Sequence, residues 1–184
     1  MDLPIYARRR VPTTEFVEFW SGHWSSKDKE RDKIYYNSQI ADPLCPKNLK
    51  DLFIWKNQTP LSGKKEESVD KLVERISELR SLPDDTPAQS FLEHFKGVSA
   101  IWRIFLLHCW SKGRHPIYDQ HVHRAMNFIC KGEIEEISKW NDQQKIKAYL
   151  DRYLPFFELF HVPGSQKPDQ ALMAFGRFLK SYRL

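Results

Sequence analysis

Little in this sequence invites covalent cross-linking, cluster chemistry or membrane insertion. It has only 3 cysteines, Cys45, Cys109 and Cys130, spread widely and with no C-x-x-C pair. An odd count argues against a complete disulfide framework. Too few thiols are present for a four-cysteine zinc site or iron–sulfur cluster within one chain. Reduced thiols in an intracellular compartment, whether cytoplasm, nucleoid or nucleus, are the expectation. Long apolar runs are also missing. The longest wholly aliphatic or aromatic run is about Ile104 to Leu107, far short of the roughly 20 residues that span a bilayer. Arg8-Arg9-Arg10 are not followed by the apolar segment of a secretory signal. A soluble protein with no membrane partner is expected. Strict two-residue alternation is nearly absent, so strands have no support, and no internal repeat or low-complexity tract is visible. Charge of one sign is scarce as well: 29 Lys and Arg against 24 Asp and Glu leave +5, compatible with a nucleic-acid partner but not diagnostic of one.

What is abundant is aromatic and helical. The chain carries 6 Trp, 7 Tyr and 12 Phe within 41% hydrophobic content. That supports one domain over residues 1–184, or two small lobes sharing a cleft. Thr13 or Thr14 can cap a short helix bearing Phe16, Val17, Phe19 and Trp20. Ser25-Ser26 precede a charged helix from Lys27 to about Gln39. Pro46 suits the first turn of the next helix, with Leu49, Leu52 and Phe53 inward and a loop from Asn57 to Gly63. The longest pattern runs from Ser62 to Leu82, with Val69, Leu72, Val73, Ile76 and Leu79 on one face, before Pro83-Asp84-Asp85 stops it. Thr86-Pro87 starts a helix through Phe91 and Phe95, with the proline in its first turn; another runs from Ser99 to about Trp110, ending at Lys112-Gly113-Arg114. After Lys131-Gly132 a weak acidic helix is expected, then a helix from Asp142 to about Phe160. Val162-Pro163-Gly164 breaks the chain, and Asp169 to Leu184 closes it with Leu172, Phe175 and Leu179 buried. The fold class is therefore all-α.

Two features carry chemistry. The turn Lys96-Gly97-Val98-Ser99 joins two helices and leaves free backbone N–H groups at the start of the second. Gly97 lets a phosphate approach the backbone, and the positive helix end favours an anion there. Such a contact fixes position on nucleic acid without reading sequence. The second feature is Asp119, which follows the helix-breaking Pro116 and opens a helix with Val122, Met126 and Ile129 on one apolar stripe. Aspartate is a favoured N-cap, and the backbone N–H groups it receives favour its charged form. An ionised, rigidly held carboxylate is what a positively charged sugar transition state requires, as in glycoside hydrolysis.

The run Asp119-Gln120-His121-Val122-His123-Arg124 resembles the D-x-H-V-x-R motif of the helix-hairpin-helix (HhH-GPD) DNA glycosylase superfamily, and Gly97-Val98-Ser99 resembles that family's G-V-G hairpin. The likeness covers mainly residues 86–130, with a weaker continuation into Ala171-Leu172-Met173-Ala174-Phe175-Gly176. It implies two helical lobes with a central cleft and a base flipped from duplex DNA into a pocket. It also implies a hairpin of Lys96, Gly97, Val98 and Ser99 on the phosphates, and Asp119 as the catalytic carboxylate. His121 and Arg124 fall at motif positions that support the fold. Bifunctional members carry a lysine where this chain has Ile101, so the resemblance implies a monofunctional enzyme using water. Serine replaces the second hairpin glycine at Ser99, which restricts the turn.

Tyr118, Trp55, Lys56 and Trp102 are the candidate base pocket, with Trp110 a further aromatic. Arg103, Lys112, Arg114 and Arg124 are candidate phosphate contacts. Lys56 is also the lysine to watch for lyase chemistry. No cofactor and no metal are expected, double-stranded DNA is the expected partner, and a monomer the expected state. Two rivals stand beside this reading. Asp119 and His123, four apart, share a helical face near His115 and His121, a spacing zinc hydrolases use, although no glutamate base lies between the pair. Alternatively, the scaffold is a binding module or adaptor without catalysis.

Overall fold

The computed structural model describes residues 11–41, 44–160 and 165–181, and every regular element among them is helical. In order these are α1 (Thr13–Gly22), α2 (Ser26–Tyr35), α3 (Asn37–Ala41), α4 (Pro46–Asn57), α5 (Lys64–Glu74) and α6 (Ile76–Ser81). There follow α7 (Ala88–His94), α8 (Ala100–Trp110), α9 (Gln120–Lys131), α10 (Asp142–Ala148), a π-helical turn (Tyr149–Tyr153), α11 (Leu154–Phe157) and α12 (Lys167–Ser181). Among the described residues, no helix is long and apolar enough to cross a membrane. The tripeptide Arg8-Arg9-Arg10, the break at Val162-Pro163-Gly164 and the last three residues lie outside the described residues.

Helix starts follow local chemistry. Pro46 takes the first position of α4, where its missing N–H costs nothing. Ser25 caps α2 by accepting from the Asp28 N–H, and Asn141 with Gln144 forms a capping box on α10. Other expectations need correction. Neither Thr13 nor Thr14 caps α1; the N-cap is Pro12 and both threonines lie inside the helix. Pro87 is likewise the N-cap of α7, not a residue of its first turn. The charged helix breaks at Tyr36, whose backbone leaves the helical region and whose ring turns into the core. The pattern from Ser62 to Leu82 is two helices, because Arg75 interrupts it to reach Glu78, the His94 carbonyl and the Phe95 ring.

The expected acidic helix after Gly132 is not helical. In that irregular segment Glu135 meets His123 and Arg152, while Glu136 meets Arg124. Ile129 does not continue the buried stripe of α9; it is 40% exposed. The buried face turns instead toward His123, Arg124 and Asn127, all of which have hydrogen-bond partners.

Helix α12 packs against both α9 and α1. The α9 crossing is so close that a Cβ on Gly176 would overlap the His121 carbonyl, and the Gly176 carbonyl accepts from Arg124 Nη1 at 2.6 Å. A second group gathers α2, α3 and α5 around α4, and a third places α7 and α10 on α8. Phe53 of α4 stacks on Trp102 of α8 and meets Phe105 edge-on, joining the latter two groups. Leu49, Leu52, Phe53, Phe91, Ile104 and Phe105 have no exposed surface, and each such side chain contributes about 1.5–3 kcal/mol of burial. Arg177 of α12 reaches Asp28 of α2 at 2.9 Å and lies over Trp24. That contact holds the C-terminal half of α12 beside α2, and Gln170, nearer its start, reaches Asp32 of α2 at 3.4 Å.

Candidate active site

Asp119 adopts an extended backbone at the N-cap of α9, and its Oδ1 accepts from the N–H groups of His121 at 2.8 Å and Val122 at 3.3 Å. Its other oxygen, Oδ2, accepts from Lys56 Nζ at 2.5 Å. Lys56 stands in the last turn of α4, where Arg31 satisfies the Ile54 and Trp55 carbonyls, each at 3.0 Å. The paired side chains are 13% and 17% exposed, so the carboxylate is sheltered without being sealed. Burial pushes the Asp119 carboxyl up, but the Lys56 charge foremost, with His121 and the hydrogen bonds, holds it at about 2. The group is a fixed anion at neutral pH.

A small cavity of about 30 Å³, partly open to solvent, lies near this pair, although neither Asp119 nor Lys56 lines it. Ile117 and Val122, which flank Asp119 in sequence, both line it. Trp24, Tyr36 and Trp55 give it aromatic walls. Asp32 orients two of these rings, accepting from Trp24 Nε1 at 2.7 Å and Trp55 Nε1 at 2.8 Å. Gln170 Nε2 reaches the same carboxylate at 3.4 Å. Asp169, in the first turn of α12, also lines the cavity, and its Oδ1 accepts from the Ile117 N–H at 3.1 Å. Small-molecule pockets share such apolar walls with a few fixed polar groups but run to roughly 300–1,000 Å³, so this cavity has room for about one water.

The hairpin turn is present between α7 and α8. Gly97 has φ of +120°, a conformation other residues rarely adopt, and nothing lies within 4 Å of where its Cβ would be. Val98 tucks into the core, while Ser99 takes the N-cap of α8 with no side-chain capping bond. The first N–H groups of α8 therefore keep capacity for an anion. Lys96 beside them is largely exposed and pairs with Glu93.

Other sequence candidates sit elsewhere. Trp55 lines the cavity; Lys56, expected in the base pocket, does not line it and pairs with Asp119 instead. Tyr118 does not line the pocket. It is fully buried, packed by Tyr149 and Tyr153, and its hydroxyl bonds His123 Nδ1 at 2.8 Å. Adjacent residues in extended chain point to opposite sides, so Ile117 faces the cavity and Tyr118 the core. Trp102 is a half-buried packing residue on Phe53, with ring centroids 4.6 Å apart. Trp110 packs on Phe91.

Two arginines offered for phosphate are not available to it. Arg103 is 6% exposed and ties the Leu92 carbonyl to Asp142. Arg124 is fully buried against Glu136 and the Gly176 carbonyl. Lys112 and Arg114 remain exposed, although Arg114 bonds the Ser111 and Asp84 carbonyls. The zinc-like spacing is taken up by structure. Both His123 nitrogens are engaged, by Tyr118 and Glu135, and no group of three or more metal-binding side chains gathers among the described residues. Sequence reasoning missed Trp24, Asp32, Tyr36 and Gln170 as cavity residues, and treated Asp169 as a helix start only. No family model, curated protein or solved structure matches the chain.

Proposed function

We propose that this protein is a monofunctional DNA glycosylase of the helix-hairpin-helix type, with two small helical lobes meeting at the aromatic cavity. It hydrolyses the N-glycosidic bond of a damaged or modified base flipped out of duplex DNA. The observation that carries this reading is an ionised, twice backbone-bonded Asp119 whose chain neighbours Ile117 and Val122 line a small aromatic-walled cavity. As the base departs, positive charge builds on the sugar, and Asp119 stabilises it and orients water. The free turn at Gly97 supports the companion role of Lys96, Gly97, Val98 and Ser99 on phosphate. Lys56 serves the carboxylate and not the sugar, since its nitrogen is engaged by Asp119.

The test is base release from a panel of modified duplexes, with abasic sites cleaved by alkali afterwards. Asp119→Asn retains a good N-cap but loses the charge, and release falls by roughly 10²–10³-fold while DNA binding persists. Equal release by wild type and variant contradicts the role of the carboxylate. The second reading, a nucleic-acid-binding module without catalysis, is favoured by Lys56 neutralising Asp119. Salt-dependent DNA binding with no release from any duplex establishes it.

A further inference from the structure

Four helices or their ends surround the cavity, and α2 differs from the other three in what it buries. Helices α4, α9 and α12 each bury several apolar side chains, whereas the one buried residue of α2 is the carboxylate Asp32. We propose that α2 is a lid, shut over the cavity in the free chain and opened when duplex DNA binds. This rests on the glycosylase reading of Asp119 and adds the movement that reading requires, since a cavity with room for about one water takes no base.

Trp24 just before α2, Asp32 within it and Tyr36 just after it all line the cavity, so the helix and its flanks form one wall. What holds this wall against α12 is polar. Arg177 Nη1 donates to Asp28 Oδ2 at 2.9 Å and its guanidinium lies over the Trp24 ring, while Gln170 Nε2 donates to Asp32 Oδ2 at 3.4 Å. The opposite side of α2 is tied to α4. Arg31 donates to the Ile54 and Trp55 carbonyls, each at 3.0 Å, and Trp55 Nε1 donates to Asp32 at 2.8 Å. The C-terminal end is anchored as well, by the Tyr36 hydroxyl on His108 at 2.6 Å. Breaking the two ties to α12 therefore lets α2 swing on its α4 side and its Tyr36 end, carrying Trp24 outward. Lys56 stays paired with Asp119, so the charge state of the carboxylate is unaffected. Elements with few buried apolar contacts are the ones from which lids are drawn.

The outward face of α2 supplies the trigger. Lys27, Lys29 and Lys33 are exposed there, against the single exposed acid Glu30. Duplex phosphates attract that face, and they compete with Asp28 for Arg177, whose side chain is 30% exposed. Closed is then the state of the free chain and open the state of the complex. A chain that is open for a fraction of the time binds duplex with its affinity reduced by that fraction. Weakening the latch therefore tightens binding, the opposite of what losing a merely structural contact does.

The test removes the latch without changing net charge, in the double variant Asp28→Asn with Arg177→Gln. It uses the full chain and a duplex carrying a tetrahydrofuran abasic-site analogue, which has no base to release. The variant binds this duplex about three- to tenfold tighter than wild type, the worth of a partly sheltered ion pair. Its Trp24 indole hydrogen exchanges with solvent faster by the same factor. The backbone amides of Phe105 and Leu106, in the buried part of α8, keep their wild-type rates. Gln170→Ala removes only the longer tie and moves both readouts the same way by about twofold, which serves if the double variant does not fold. Affinity no better than wild type, or exchange that quickens at Trp24 and in α8 together, overturns the lid. If Asp119→Asn loses base release while the latch variants match wild type in both measurements, this inference alone fails. If the latch variants bind tighter and Trp24 exchanges faster, yet no modified duplex loses a base, the lid stands and the glycosylase reading fails.

Discussion

Lys56 Nζ lies 2.5 Å from Asp119 Oδ2, joining two residues that stand 63 apart in sequence. The contact ties the end of α4 to the start of α9 and sets the charge state of the carboxylate. Both groups are mostly withdrawn from water, so each depends on the other more than an exposed pair would.

Lys56→Gln removes the leading influence that lowers Asp119, and burial then raises its carboxyl. Under the proposed mechanism the ionised form is the active one, so the acid limb of base release is expected to move from about pH 2 in wild type to higher pH. Stability changes in the same sense. The folded carboxyl lies below its usual 3.8, so the pair's contribution is full above that value and is lost as pH falls through about 2. At neutral pH the variant loses about 1–3 kcal/mol, because the sheltered Asp119 charge keeps its backbone N–H groups but loses its cation. A release profile between pH 4 and 8 with no shift of the acid limb contradicts the electrostatic role of Lys56. Borohydride gives no trapped DNA adduct with wild type; an adduct that disappears in Lys56→Gln makes the enzyme bifunctional.

Gly97→Ala places a side chain where the backbone has φ of +120° but where nothing crowds the new methyl. The cost is backbone strain, about 1–3 kcal/mol, visible as a lower Tm. If phosphate sits against this turn, affinity for duplex DNA falls further than Tm implies, and the salt dependence of binding flattens. Unchanged affinity measured well below Tm removes the hairpin from the interface.

Gly176→Ala is far more damaging despite an ordinary helical backbone. The added methyl meets the backbone carbonyl of His121, which cannot swing aside as a side chain would. The helix carrying Asp119 must shift away from α12, and Arg124 loses its bond to the Gly176 carbonyl. A loss of about 3 kcal/mol or more is expected, in the range of severe overpacking. Calorimetry showing a Tm near wild type contradicts the close crossing.

Much of this arrangement is legible where local backbone chemistry decides it. Pro46 at a helix start, Asp119 at an N-cap and Gly132 as a left-handed C-cap are positions one residue type serves best. Glu133 to Glu136 was misread for the opposite reason. Glutamate favours helix locally, but His123 and Arg124 are buried and need acidic partners, so the segment is not helical. Arg103 and Arg124 look like surface charge in sequence and act as internal ties. The cavity is not legible, because the stretch holding Trp24, Asp32 and Tyr36 meets Trp55, Ile117 and Asp169 from distant parts of the chain. Their meeting depends on α12 docking beside α2, which no local pattern encodes.

Asp169 gives a stability signature independent of catalysis. Its carboxyl is raised from 3.8 to about 7 in the folded chain, so between those values the native state holds a proton that the unfolded chain has released. Stability from this group therefore falls as pH rises from about 4, and the loss is complete above about 7. His108 works in the other direction. Burial lowers it from 6.5 to about 4, so its contribution is present above 6.5 and lost as pH falls. The Tm of wild type alone mixes these trends, and only the difference between Asp169→Asn and wild type isolates the carboxyl. That difference starts near its minimum at pH 4–5 and grows in favour of the variant up to about pH 8. Each 1 kcal/mol gained appears as roughly 2–4 °C for a chain of this size. A flat difference across the range means that Asp169 is ionised throughout.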